Sequence, residues 1–162
     1  MGQHEEDVVT GWLDTVRGGE TDVWSGIVAH WHDDAVWHLI GTTPRSGTFH
    51  GLESIKRDFM GPGRNGDGRP GPSVQGLSSE YPITLTVQEV VSTTDDRVVV
   101  LCTTDGSGRN GVPYRNEYCW IFTVRGDRIA RLDEFCDTVA IEEAHFDKKL
   151  VPRGTTVPVY ET

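Results

Sequence analysis

At 162 residues, with 36% apolar and 25% charged side chains, the chain has the composition of a soluble globule whose one core buries roughly 70% of its unfolded surface. A formal net charge of -10 makes the average surface repel phosphate backbones and anionic lipid, so neither nucleic acid nor membrane is an expected partner. The longest apolar run, Val98 to Cys102, is far too short to span a bilayer, and Met1-Gly2-Gln3-His4-Glu5-Glu6-Asp7 lacks the positive start and apolar centre of a secretory signal. The expected location is the cytoplasm.

The first element runs from Glu5 to Arg17, where Val8, Val9, Trp12, Leu13 and Val16 recur at helical spacing before Gly18-Gly19 stops the pattern. Thr21 or Asp22 caps a second helix with the stripe Val23, Trp24, Ile27, Val28 and Trp31, which Asp33-Asp34 ends. A short strand, Val36 to Ile40, follows and stops at the turn Pro44 to Gly47. Leu52, Ile55 and Phe59 then predict a third helix of about three turns over Gly51 to Met60. Gly61 to Pro72 is too rich in glycine and proline for regular structure and is read as a loop of lid type inside the domain.

From Tyr81 onward the pattern is strand after strand: Ile83 to Val91, Arg97 to Thr103, Tyr114 to Val124 and Arg128 to Cys136, with turn residues between them. Ile141 to Phe146 adds a helical turn, and the segment 147–162 reads as a tail behind a single domain of residues 1–146. Helices first and a long antiparallel meander afterwards predict an α+β fold, a cone-shaped curved antiparallel sheet wrapped around the N-terminal helices with an apolar pocket.

Two constellations carry candidate chemistry. On the strand Val36 to Ile40, alternation groups Val36, His38 and Ile40 on one face and Trp37 and Leu39 on the other. His38 is read either as a core histidine tied to a carboxylate or carbonyl, or as a general base whose ordinary pKa suits proton transfer at neutral pH. On the later strands Asn116, Tyr118 and Trp120 share a face, as do Leu132, Glu134 and Cys136 on their neighbour. Glu134, flanked by Leu132 and Cys136, is either a buried general acid, or an outward-facing side chain or structural partner of Arg131. Asp137 sits where a cap on the following turn is the first reading, with substrate binding the second, and Glu117 falls outside the pocket.

Other chemistries find less support. Cys102, Cys119 and Cys136 form no CxxC or CxxH pattern, so they are read as reduced thiols rather than as a disulfide framework or zinc site. The imidazoles of His30 and His32 point in different directions from a helix end, so no metal is assigned there. No glycine-rich phosphate loop and no nucleophilic Ser or Cys motif is present, and no cofactor is expected.

Asp33-Asp34-Ala35, the turn Pro44-Arg45-Ser46-Gly47-Thr48, Gly51 with its helix, and Asp127-Arg128-Ile129 leading to Glu134-Phe135-Cys136-Asp137-Thr138 resemble, in order and spacing, the nuclear transport factor 2-like superfamily. The resemblance runs from about Val8 to Phe146 and is to the ketosteroid isomerase and SnoaL-like polyketide cyclase branches. It implies His38 at the position of the isomerases' proton shuttle and Glu134 at that of the cyclases' pocket acid. Trp120 stands at or next to the oxyanion-hole acid of the isomerases and where the cyclases have a histidine, and no tyrosine of that hole occurs near Trp12. The Arg-x-Asp of the related epoxide hydrolases is replaced by Arg97-Val98-Val99. A homodimer through the exposed sheet face is also implied.

These readings predict an enzyme without a cofactor, with His38 as base and Glu134 as acid, acting on a hydrophobic carbonyl-bearing small molecule by isomerisation, cyclisation or dehydration. Trp120, Tyr118, Asn116, Asp137 and Trp12 are the expected substrate-binding residues. The alternatives are a non-catalytic binding or assembly module and an epoxide-hydrolase-like enzyme. A cavity of about 300 Å³ or more holding both His38 and Glu134 separates enzyme from module.

Overall fold

A computed structural model describes residues 2–17, 23–60, 81, 83–93 and 96–154, the side chains of 23 and 24 aside. The stop and cap residues expected between the first two helices, the loop of lid type and the end of the tail lie outside the described residues.

Helix α1, Gln3–Val16, buries Val9, Trp12 and Leu13, which its 3.6-residue period puts on one stripe. Helix α2, Val23–His30, is followed directly by strand β1, Trp31–Leu39. Trp31, expected at the end of a helical stripe, therefore opens the strand instead. Strand β2, Gly47–His50, was not anticipated; it pairs antiparallel with β1 after the turn. The expected third helix divides into α3, Leu52–Ser54, and a π-helical segment, Ile55–Met60. The wider i→i+5 winding brings Ile55, Phe59 and Met60 together on the buried side. Strands β3 (Thr84–Ser92), β4 (Arg97–Ser107), β5 (Pro113–Arg125) and β6 (Arg128–Cys136) follow, and helix α4, Thr138–Phe146, closes the described elements.

The sheet has six strands in the order β2-β1-β6-β5-β4-β3 and is open. The antiparallel expectation holds for every neighbouring pair except β1 and β6, which run parallel. Hairpin turns dictate antiparallel pairing from β3 to β6, whereas β1 arrives from far back in the chain and no turn fixes its direction. The sheet is mixed for that reason. Helix α1 lies across the inner face of β3 to β6. An aromatic cluster fills the space between: Trp12 meets Trp31, Trp37, Trp120 and Phe122 with ring centroids 5.4 to 6.5 Å apart. No described helix is long and apolar enough to cross a membrane.

Candidate active site

Strand alternation places Leu132 and Glu134 of β6 inward, buried under the helices. Parallel register then pairs Leu132 with Trp37 and Glu134 with Leu39, so those two side chains of β1 also face inward. His38 is thereby sent to the outer face, paired in register with Asp133. The grouping of side chains along β1 is the expected one, but the faces are exchanged. Burying Trp37 and Leu39 removes far more apolar area from water than burying one imidazole, whose desolvation is unfavourable. His38 Nδ1 instead meets Thr48 Oγ1 at 2.9 Å on β2. His38 and Glu134 do not face each other, and the expected base and acid across one cavity are not brought together.

Glu134 is 7% exposed and accepts a hydrogen bond from Trp37 Nε1 at 2.6 Å. Burial pushes its carboxyl up to about 6, while the Trp37 N–H, the Arg45 charge and the Trp120 indole opposite it in register each pull it down. A carboxyl poised there exchanges a proton readily near neutrality. Among the buried polar side chains described, which are those of Thr43, Arg45, Thr104, Asn116 and Glu134, it is the only carboxylate.

Arg45 is the residue the sequence reading missed. Thr43, Pro44, Arg45 and Ser46 form a tight turn, closed by Ser46 N–H to Thr43 O at 2.9 Å and tied to β1 by Ser46 Oγ to Ile40 O at 2.9 Å. Just before it, Gly41 holds φ at 98°, and a Cβ there would come within 2.8 Å of Thr138 Cγ2 at the start of α4. This turn folds Arg45 under the π-helical segment, where Nη2 donates to Phe59 O at 3.2 Å and the guanidinium sits 4.6 Å from the Phe59 ring centroid. Its Nη1 lies 3.4 Å from His145 Nδ1 on α4. Desolvation lowers the Arg45 pKa and the Glu134 charge counters it. His145, partly buried and beside that cation, is pushed down to about 3 and stays neutral. An arginine in a Pro-containing turn reads as a solvated loop residue, and only its position between two strands that bury their inner faces hints otherwise.

Asn116, Tyr118 and Trp120 are all buried on the inner face, as expected, and Tyr114 extends the same alternation by one step. Asn116 is fixed by Asp137 N–H to its Oδ1 at 2.9 Å and by its own Nδ2 to Asp137 O at 3.0 Å. Its Nδ2 also reaches Tyr114 Oη at 3.1 Å, and Tyr114 and Tyr118 hydroxyls meet at 2.5 Å. Burial raises both phenol pKa values, so the hydroxyls remain donors. Trp12 is buried with its Nε1 unpartnered. Asp137 does not line this interior: its side chain accepts from Val139 N at 2.8 Å as the N-cap of α4, the capping reading. Glu117 is exposed on the outer face as expected.

The candidate partners of other chemistries separate as well. His32 Nε2 contacts Arg125 O at 2.7 Å, while His30 lies against Gly11 of α1. Among the described residues no group of His, Cys, Asp or Glu is placed to hold a metal ion. The three cysteines are free thiols; Cys136, near Glu134, is pushed up to about 12 by burial. A cleft of about 600 Å³ reaches Thr104 and Asn116 but is lined mainly from the outer face, by residues such as Thr103, Asp105, Arg115 and Glu117; it contains neither His38 nor Glu134, so it is not the cavity expected to separate an enzyme from a binding module.

No protein-family model and no curated protein matches the chain. Solved structures do. The chain is similar to a nuclear transport factor 2-like protein from Burkholderia xenovorans LB400, with 17% identity over 90% of this chain and 98% of that one and a TM-score of 0.63. It is similar to a candidate SnoaL-like polyketide cyclase from Jannaschia sp. CCS1, with 14% identity, coverage of 91% and 95% and a TM-score of 0.65. This chain has the nuclear transport factor 2-like fold. TerC, co-crystallised with polyporic acid, shares that fold at 22% identity, coverage of 88% and 98% and a TM-score of 0.66.

Proposed function

We propose that the chain is an enzyme that moves protons on a hydrophobic carbonyl-bearing small molecule, with Glu134 as the group that takes and returns the proton. The observation that carries this reading is a buried carboxyl among aromatic rings, the only one among the described residues, held by Trp37 and pushed up to about 6 by burial. At neutral pH the Glu134 carboxylate accepts a proton from the carbon beside the carbonyl, and the electron pair of that C–H bond becomes an enolate. The fixed charge of Arg45 and the donor chain of Asn116, Tyr114 and Tyr118 stabilise the oxygen where the negative charge collects. Return of the proton to another carbon gives isomerisation, protonation of a leaving hydroxyl gives dehydration, and attack of the enolate on a second carbonyl gives cyclisation. His38 has no part in this scheme, and hydrolysis of an epoxide is disfavoured because the interior described offers no second carboxylate.

All three reactions share enolisation, so one assay tests the reading without the true substrate. A panel of aryl ketones and cyclic 1,3-diketones is incubated in D2O and deuterium uptake beside the carbonyl is followed by NMR; uptake no faster with the wild type than with Glu134→Gln overturns the proposal. Polyporic acid belongs in the accompanying binding panel.

The homodimer is proposed through the outer face, where Leu101, Cys119 and Phe135 line up across β4, β5 and β6 and Leu101 and Phe135 are exposed. Sedimentation equilibrium of the wild type against Phe135→Glu tests it, a monomeric wild type counting against it.

A further inference from the structure

Glu134 is 7% exposed, so a molecule that exchanges a proton with it must first move part of what covers it. The covers are held unequally. Helix α1 sets Trp12 among four aromatic rings, and the π-helical segment buries Ile55, Phe59 and Met60, with Phe59 against Trp37 and Phe49. Helix α4 buries Ile141 and Ala144, and parting two aliphatic side chains from the core is far less unfavourable than parting those rings. Polar ties hold its two ends. Asn116 clamps the N–H and C=O of Asp137 at the start, and at the far end Asn110 Nδ2 donates to Glu143 O at 2.9 Å and Asp147 Oδ1 at 3.2 Å. The Asn110 bonds are exposed, so water readily replaces them, and residues 148–154 beyond are exposed as well.

His145, in the last turn of α4, rests on the turn that carries Arg45, with its ring 4.8 Å from that of Tyr114. A guanidinium supplies only N–H groups, so His145 Nδ1 accepts from Arg45 Nη1 across their 3.4 Å contact and the imidazole proton is on Nε2. A further proton would go to Nδ1, end that hydrogen bond and set a second cation against the first. The groups facing the ring from the elements packed on it are the Arg45 cation and the Tyr114 phenol, which burial keeps neutral. Glu142, one turn back on α4, is paired with Lys148. We infer that α4 is the movable cover through which the interior is reached and that His145 is its acid-sensitive latch: uncharged it holds α4 against Arg45, and protonated in water it keeps α4 from closing. This rests on the proposed function only in naming Glu134 as the group uncovered, and it deepens that reading by supplying its regulation. Covered, His145 titrates near 3, against 6.5 in water, so between those values the open form binds the extra proton and opening is favoured as pH falls. Glu134 acts in the opposite sense, because its closed form, titrating near 6 against 4.5 in water, is the one that binds the extra proton.

Hydrogen exchange of the full chain, followed by mass spectrometry at about pH 7 and pH 5 and corrected for the intrinsic exchange rate at each, reads the opening. The amides of α4 are expected to be less protected than those of β5 at both values, because α4 lifts while the sheet stays folded. His145→Gln keeps a neutral side chain at both. Relative to that variant, wild-type α4 is expected to lose about tenfold or more of its protection between the two values, the opposing contribution of Glu134 being common to both proteins. Exchange of α4 in step with β5, or the same pH dependence in the wild type and His145→Gln, overturns the inference. If His145→Gln does not fold, nitrogen-15 NMR of the wild-type imidazoles decides. A neutral His145 with its proton on Nε2 at neutral pH supports the latch, and a proton on Nδ1 or a charged ring there overturns it. Acid-driven opening of α4 without deuterium exchange on any ketone leaves this inference standing and removes the enolisation reading. Ketone exchange that depends on Glu134, with α4 as protected as β5, does the reverse.

Discussion

The two sides of the sheet where β1 meets β6 each bring together an arginine, a carboxylate and a histidine, and they differ in what covers them. On the outer face Arg131 donates to Asp133 at 2.8 and 2.5 Å, with His38 next to Asp133 in register. On the inner face the set is Arg45, Glu134 and His145, under helices and aromatic rings. Outside, the pair is half in water and the arginine is held more firmly protonated by its carboxylate. Inside, the order of effects is reversed: burial lowers the arginine, lifts the carboxyl to about 6 and drives the histidine to about 3. An arginine, a carboxylate and a histidine close together therefore do not make a site. What does is the loss of water around them, which turns fixed charges into groups that titrate where chemistry is done.

The widest separation between the faces is expected in activity. Glu134→Gln should slow deuterium exchange on a responsive ketone by about 10² to 10⁴-fold, the usual contribution of a general acid–base group. Asp133→Asn and His38→Gln, on the outer face, should leave the rate within about twofold by the same criterion. A rate lost in His38→Gln with the fold intact would return that histidine to the mechanism and void the inner-face assignment.

Stability should separate them next. Arg45→Met removes the charge that helps to hold the Glu134 carboxyl down and leaves buried Phe59 O without its donor, and a buried carbonyl left unsatisfied is by itself unfavourable by about 1 to 3 kcal/mol. Arg131→Met breaks a partly solvated pair and should change stability by about 1 kcal/mol or less. Urea unfolding of both variants gives the comparison, and equal losses would mean that Arg45 is as hydrated as the outer pair.

The pH dependence of stability carries the same contrast at a smaller scale. Glu134 ionises near 6 when folded and near 4.5 otherwise, so the folded state binds the extra proton between those values and stability falls as pH rises through them, by about 2 kcal/mol in all. His145 titrates near 3 when folded and near 6.5 otherwise, so the unfolded state binds the extra proton and stability is lost as pH falls below 6.5. Over the overlap the two oppose each other. Glu134→Gln should unmask the histidine, giving stability that climbs steadily from about pH 4 to 7, whereas His145→Gln should give stability that declines from about pH 4.5 to 6.5. Urea midpoints collected across that range read both slopes.

How far the sequence reached follows the same division. Period and turn residues located β5 and β6 and the inward direction of Asn116, Tyr118, Trp120 and Glu134, because alternation is a property of the strand itself. Alternation does not say which face is inside. On β1 that choice was made by the parallel register with β6, a long-range pairing with no local signal, and so His38 was assigned to the wrong side. Arg45 and His145 escaped for a related reason: one lies in a turn and one at the end of a short helix, where polar residues ordinarily meet water. Only the packing of α4 and the π-helical segment over that turn takes both out of solvent.

The smallest effect isolates one hydrogen bond within the inner set. Trp37 is stacked on Trp31 at 5.1 Å and tilted against Phe59 at 4.6 Å, so Trp37→Phe keeps an aromatic ring in the cluster while deleting the N–H that reaches Glu134. That N–H is the strongest of the influences opposing the upward push of burial on the carboxyl. A hydrogen bond to an ionised group is worth about 1.5 to 3 kcal/mol, so its loss should raise the titration of Glu134 by about one unit or more. Carbon-13 NMR of the labelled glutamate carboxyl follows the shift directly. Should the titration stay where it was, Arg45 and Trp120 suffice to hold the carboxylate, and the indole of Trp37 serves as packing alone.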